Sequence, residues 1–128
     1  MNDPIYLLSR AEYERYKPNI PPITCYWWLR SHGDGSRSAE YVDSSGLVCD
    51  YGGNVVIKYA VRPAISLVTT GLTIGQRVVL HDFPWIVIGE GVAIAEVPIA
   101  FRRFDAESNN YENSEVRKFL LDWWWDRK

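Results

Sequence analysis

The sequence predicts an α+β fold made of antiparallel strands and two helices. Three features carry that expectation. Short apolar runs of strand composition alternate with turns rich in Gly, Pro, Asn and Ser along most of the chain. Capped amphipathic helix signals occur after Ser9 and after Ser114, near the two ends. The elements do not alternate strand, helix, strand, so a parallel βαβ sheet is not expected. The pattern gives two helices and about eight short strands, with no repeat and no low-complexity tract.

Residues 5–8, Ile-Tyr-Leu-Leu, read as a first short strand. Ser9-Arg10-Ala11-Glu12 is a capping box, and it predicts a helix from residue 10 to about 17 that Pro18 stops. Tyr13 and Tyr16 lie three apart on one face of it. Pro18, Pro21 and Pro22 predict an extended connector over residues 17–22. Residues 24–30 form the next strand, followed by a polar, glycine-rich loop over 31–36. Residues 39–43 and 47–51 read as a hairpin around Ser44-Ser45-Gly46. Gly52-Gly53-Asn54 predicts a turn, and residues 55–59 alternate like a half-buried strand. Residues 61–68 read as one strand, at an edge or bulged where Pro63 breaks the ladder.

In the second part, residues 77–80 and 85–88 predict a hairpin around His81-Asp82-Phe83-Pro84. Gly89-Glu90-Gly91 turns into a strand over 92–95, and residues 97–104 give another. A polar loop covers 105–111. The last helix opens on Ser114 as N-cap, with Glu115 in its first turn. Val116, Phe119, Leu120, Trp123 and Trp124 form one apolar stripe, from which Trp125 departs.

The chain of 128 residues is expected to be one domain with its own core. Six Trp and eight Tyr suit cores and interfaces alike. A net charge of −2 argues against direct nucleic-acid binding, which asks for a basic face, and leaves room for a basic partner. The opening Met1-Asn2-Asp3-Pro4 has neither a basic start nor an apolar run, so no signal peptide and a cytoplasmic location are expected. No apolar run is long enough for a membrane span. Cys25 and Cys49 do not make a disulfide framework, and free thiols are expected over a bridge or a reactive pair.

Adjacent tryptophans on a strand point to opposite faces, so of Trp27 and Trp28 one is expected to roof the core and the other to meet a second layer. Arg30 and Arg62 sit in apolar strand text and need carboxylate or carbonyl partners there. They are expected to pin strands together around a tryptophan core that includes Trp85; anion binding is the alternative.

Several motifs carry a resemblance. "YWWLRSHG" (26–33), "AEYVDSSGLV" (39–48) and "AVRPAISL" (60–67) resemble the second half of a domain of unknown function common in gut Firmicutes and their phages. That family writes the region as a WWLRSPG-like strand, an A-x-V hairpin and a GVRPAL-like strand. "IYLLSRAEYERY" (5–16) resembles the segment before it. "GLTIGQRVVLHDFPWIVIGEGVAIAEV" (71–97) and "NYENSEVRKFLLDWW" (110–124) resemble that domain's first half. The halves, 5–68 and 71–125, stand in reversed order. That implies a circular permutation joined at Thr69-Thr70-Gly71, with residues 126–128 ending near Asp3, or a homodimer that exchanges halves. At greater distance the strands are similar to the C-type-lectin-like and sulfatase-modifying-enzyme fold, a twisted antiparallel sheet with two helices and long loops that serves mostly for recognition. The copper-binding cysteine motif of its catalytic members and the calcium motif of the lectins are absent, so no cofactor and no metal are implied. His32 stands where proline is usual in the nearer family, which makes that loop more polar and less rigid.

The candidate binding residues are Trp123, Trp124, Trp125, His32, Asp34, Arg102 and Arg103. Successive helical residues diverge by about 100°, so one face cannot bury three consecutive tryptophans, and at least one is expected to be exposed or partnered. The alternative is a fringe of the core. His32, Asp34 and Ser36 share one loop, which rarely supplies a nucleophile-base-orienter geometry. His81-Asp82, alone or with Asp43 or Asp50, lacks metal-ligand spacing. Gly33-Asp34-Gly35-Ser36 has no lysine and no following helix, so it fails as a phosphate loop. Arg102 and Arg103, beside Asp105 and Glu107, suit a solvated strand end.

The expected function is a non-enzymatic recognition module of a phage or mobile element. It would bind a protein through the terminal tryptophan helix and the loops at 31–38, 81–84 and 105–112. Size and charge fit one narrower role, inhibition of a host defence nuclease, with acidic side chains occupying its nucleic-acid channel. The alternative is carbohydrate binding, with tryptophans stacked on sugar rings, as on a phage tail. An enzyme ranks last, because no convergent acid, base and nucleophile set is visible.

Overall fold

A computed structural model describes residues 3–68 and 71–127. In chain order its elements are β1 (Ile5–Tyr6), α1 (Arg10–Tyr16), β2 (Trp27–His32), β3 (Ser38–Val42), β4 (Val48–Asn54), β5 (Tyr59–Val61), β6 (Ala64–Ser66), β7 (Arg77–Leu80), β8 (Phe83–Gly89), β9 (Val92–Ala95), β10 (Ala100–Arg102) and α2 (Glu115–Asp126). The fold is α+β. One sheet runs β1-β6-β9-β8-β7 and the other β10-β5-β2-β3-β4, and neither closes on itself. Pairing is antiparallel apart from β2 with β5. Both sheets mix early and late strands: β6 pairs with β9 in one, and β5 with β10 in the other. Among the described residues no helix is long and apolar enough to cross a membrane.

Both helices start where their caps place them. Ser9 Oγ accepts from Glu12 N at 3.1 Å while Glu12 Oε1 accepts from Ser9 N at 2.9 Å. Ser114 Oγ accepts from Arg117 N at 3.1 Å. Such caps satisfy amide groups that a helix end leaves without partners.

Trp27 and Trp28 do take opposite faces. Trp28 packs with Ile5, Val61, Trp85, Phe104 and the α2 residues Val116 and Leu120. Trp27 packs with Leu29, Val42, Ile86, Ile88 and the α1 residue Tyr13, whose ring meets it edge-on at 5.5 Å. Each tryptophan therefore seals one helix onto the sheets, and truncating either to alanine costs about 3–5 kcal/mol.

Five stretches differ from the sequence reading. The connector after α1 opens with a 3-10 turn over Lys17–Asn19, because a proline near a helix start loses no hydrogen bond there. Gly52-Gly53-Asn54 is not a turn: β4 runs through it, with a bulge opposite Ala39–Tyr41 that Gly52 permits at φ +84°. Residues 55–58 are a turn and not a strand. Asn54 Oδ1 accepts from Val56 N at 3.1 Å, and the Asn54 carbonyl accepts from Ile57 N at 3.0 Å. The alternation there reflects Val55 buried beneath that turn. Residues 61–68 are two strands in different sheets, β5 and β6, with Arg62-Pro63 at the crossing. Of residues 97–104 only 100–102 pair as a strand.

The hairpin at 81–84 closes more tightly than expected, on His81 and Asp82 alone, both with positive φ (56° and 58°). Asp3 bonds Arg117 in α2 at 2.8 and 3.0 Å, about 13 Å along the helix axis from Asp126. Thr69 and Thr70 of the expected joint, and Lys128, lie outside the described residues.

Candidate functional site

The residues singled out in the sequence gather at the two ends of α2, whose twelve residues span about 18 Å. At the N-terminal end the loops 31–38 and 105–112 are tied together. Asn109 Nδ2 donates to the Gly35 and Ser38 carbonyls at 2.9 Å each, Asn109 N donates to Ser36 O at 2.9 Å, and Arg37 donates to Glu107 O at 3.4 Å. His32 and Asp34 are exposed on this ledge. Among the described residues no three His, Cys, Asp or Glu side chains cluster as a metal site would require. Arg102 and Arg103 turn toward the helix. Arg102 lies 4.4 Å over the Phe119 ring, and Arg103 makes a two-bond pair with Glu115 at 2.9 and 3.0 Å. They fasten α2 to β10.

At the C-terminal end the β7–β8 hairpin carries the tryptophans. The His81 and Trp124 rings stack with centroids 3.7 Å apart. Trp123 meets Phe83 at 5.5 Å and Trp85 at 6.1 Å, while the Arg127 guanidinium lies 4.5 Å over its outer side. Trp85 Nε1 donates to Leu80 O at 3.0 Å, which fixes the hairpin end. Trp123 and Trp124 are half-buried, and Trp125, off the apolar stripe, is 52% exposed. Beside Trp124 lies a groove of about 410 Å³ lined by Leu67, Val68, Leu72, Val78, Leu80 and His81. The single surface expected from the sequence is thus two: the 81–84 turn joins the tryptophans, and the other two loops join each other at the far end of α2.

The chain matches no family model, no curated protein and no solved structure.

The two arginines differ. Arg30 is paired as expected: one nitrogen donates to Leu7 O at 2.7 Å and to Glu12 Oε1 at 2.6 Å, with the Tyr6 ring 5.9 Å away. Arg62 is fully buried, and Nε donates to Ala95 O at 2.8 Å, but Nη1 and Nη2 have no partner. Arg62 thus has one carbonyl partner, in β9, where Arg30 has a carbonyl and a carboxylate.

A third feature was not legible as a site. Tyr26, Tyr41 and Tyr59 are scattered in sequence, but their rings contact at 4.7–5.6 Å. Gly53 makes room for them, since a Cβ there would lie 2.8 Å from Tyr59 Cε2. Tyr41 is held protonated by its hydrogen bond with Cys49, by burial, and by Tyr51 and Tyr59. Tyr26 and Tyr51 remain 44% and 58% exposed. Cross-strand pairing of Trp28 with Tyr41 and of Tyr41 with Cys49 builds this cluster, and only the register reveals it.

Proposed function

We propose that the chain is a non-enzymatic recognition module that binds a protein partner in the groove beside Trp124. The observation that supports it is an apolar groove at the surface whose lining includes the stacked rings of His81 and Trp124. Covering such a surface releases about 25 cal/mol per Å² of apolar area. β7, which contributes Val78 and Leu80, is an edge strand with its other side unpaired among the described residues. The occupant that suits both is an extended segment of the partner. It pairs along β7 and lays an apolar side chain against Trp124. The net charge of −2 favours a basic partner. A lectin-like, circularly permuted fold belongs to the same proposal, supported by the two helices and by the β5–β10 and β6–β9 pairings that join the halves. So do a phage or mobile-element origin and a cytoplasmic location. The narrower role of inhibiting a host defence nuclease rests on size and charge.

The test is selection of displayed random peptides on the protein. Peptides of alternating apolar character are expected, and their binding is lost in Leu80→Asp while the melting temperature stays within about 3 °C. Selected peptides that bind Leu80→Asp as well as wild type would sink this reading.

The tyrosine cluster favours a second reading, carbohydrate binding, because exposed phenol rings stack on sugars. Glycan-array signals lost on Tyr26→Ala and kept in Leu80→Asp would establish it over the first.

A further inference from the structure

Four strands stand at sheet edges: β1, β7, β10 and β4. β1 has only two residues. In β10 the Arg102 carbonyl accepts from Trp28 Nε1 at 3.0 Å, and in β4 the Tyr51 carbonyl accepts from Asp34 N at 2.9 Å. β7, by contrast, receives only Trp85 Nε1 on the Leu80 carbonyl beyond its ladder with β8, among the described residues. It has no proline, and Val79 is 62% exposed. An edge strand left so is a template for another strand.

The hairpin fixes which of its backbone groups point outward. His81 and Asp82, both with positive φ, make a two-residue turn, and in such a turn the flanking pair, Leu80 and Phe83, exchanges both bonds. Bonded and non-bonded pairs then alternate, so Val78 bonds Trp85, while Val79 against Pro84 and Arg77 against Ile86 do not bond. Pro84 agrees with this. It has no N–H, and its carbonyl accepts from Glu96 N at 3.1 Å on the β9 side. The ladder resumes at Val87, whose N donates to Gln76 O at 2.9 Å and whose carbonyl accepts from Gly75 N at 2.8 Å. The N–H and C=O groups of Arg77 and Val79 therefore point away from β8.

We infer that β7 pairs antiparallel with β7 of a second copy of this chain, about a two-fold axis at Val78. Directly opposite residues share a sheet face, so the axis passes through a residue and not between two. An axis at Arg77 would set two guanidinium groups opposite each other, which is unfavourable. An axis at Val79 or Leu80 would run β7 against His81, which has left the strand at φ 56°. With the axis at Val78, Arg77 meets Val79 of the second copy and exchanges both bonds with it. The symmetric pair does the same, and every outward group of β7 is satisfied. Val78 meets its own equivalent, apolar on apolar. A net charge of −2 leaves little repulsion between copies. Four residues of strand fall well short of the about 1,200 Å² that a stable interface buries, so the dimer is weak, with a dissociation constant of about 10 μM to 1 mM. It covers the edge that a partner strand needs, so the free chain closes its binding edge at high concentration and opens it on dilution. That consequence rests on the reading of β7 as strand-accepting; the self-pairing does not.

The experiment is sedimentation equilibrium of the full chain in reductant, from about 5 to 500 μM. The average mass is expected to rise with concentration toward that of two chains. Val79→Pro removes only an outward N–H, so it is expected to melt within about 3 °C of wild type and to stay monomeric throughout. A cysteine pair tests the axis itself. The two Val78 Cα atoms would lie about 4.5 Å apart, within reach of a disulfide. Under mild oxidation Val78→Cys is expected to link to its own equivalent, and Val79→Cys, which faces Arg77, at least about tenfold more slowly. Peptide mass spectrometry separates the 78–78 link from links through Cys25 or Cys49. A chain that stays monomeric up to about 500 μM overturns the self-pairing whatever the peptide selection gives, so its failure and that of the groove reading are seen separately. A dimer that persists in folded Val79→Pro, or one that forms no 78–78 link, overturns it too. Where Val79→Pro fails to fold, the 78–78 link decides alone: its presence supports the pairing and its absence overturns it.

Discussion

Arg30 and Glu12 meet at 2.6 Å, and the same carboxylate oxygen accepts the Ser9 amide at 2.9 Å. One oxygen thus closes the α1 cap and anchors β2 to it. Arg30 also holds the Leu7 carbonyl, so the segment after β1 is drawn into the same knot. Glu12→Gln keeps the shape and removes the charge. It is expected to cost about 1–2 kcal/mol in chemical denaturation, the worth of a charge-assisted bond and a weakened cap. A loss under about 0.3 kcal/mol would show that the knot is ornamental.

The same pair gives a pH dependence of known sign. Burial pushes the Glu12 carboxyl up, but the bonds from Arg30 and Ser9 outweigh it and hold the group below the ordinary carboxylate range. A depressed folded value means stability that is present above the unfolded pKa of 4.5 and lost as pH falls through the folded one. Between about pH 5 and 3 the melting temperature of wild type is therefore expected to fall more steeply than that of Glu12→Gln. Parallel curves would refute the assignment. The difference between the two proteins cancels Glu40, which burial pushes the opposite way.

Arg103 and Glu115 form a second close pair, but in solvent. Exposed pairs contribute little, because water screens them and ordering long side chains costs entropy. Arg103→Ala is expected to shift the melting temperature by no more than about 2 °C, whereas Arg30→Met costs about 2–4 kcal/mol. Equal effects would mean that α2 is held at its first turn and not by its buried stripe.

These contrasts show which information was local. The caps at Ser9 and Ser114, the opposite facing of Trp27 and Trp28 and the stripe of α2 follow from spacing along the chain, and the sequence carries them openly. The role of Pro63 does not. A proline in an apolar run reads equally as a bulge or an edge, and only the partners of β5 and β6 show that the chain changes sheets there. Residues 55–58 misled because alternation is shared by a strand and by a turn that buries one valine. Arg62 was legible as a buried arginine but not as one with a single carbonyl partner, since its surroundings come from α1, β3 and β9. The split of the expected binding surface has a similar cause: nothing in the spacing says that two loops meet at one end of α2 and the third at the other.

Cys25 and Cys49 are free thiols, packed at the edges of different core clusters. Melting temperatures with and without reductant are expected to agree within about 1 °C, and mass spectrometry after alkylation should find both cysteines modified. A bridged form that melts higher on oxidation would contradict this placement.

Gly52 and Gly75 separate backbone conformation from crowding. Both have positive φ, +84° and +92°, a region that L residues other than glycine seldom adopt. At Gly75 a Cβ would meet nothing within 4 Å, so Gly75→Ala is expected to cost only the conformational strain, about 1 kcal/mol. At Gly52 the added carbon would lie 2.8 Å from the Ala39 carbonyl oxygen and 3.0 Å from the Gly33 Cα, both backbone atoms that cannot swing away. Gly52→Ala must therefore open the β4 bulge and pull on Ala39, which is packed in the core beside Trp28. About 2–4 kcal/mol is expected, strain and crowding together. Measured by urea denaturation, Gly52→Ala should be the more damaging by at least about 1 kcal/mol; equal losses would mean that the bulge is not seated against β3 as described.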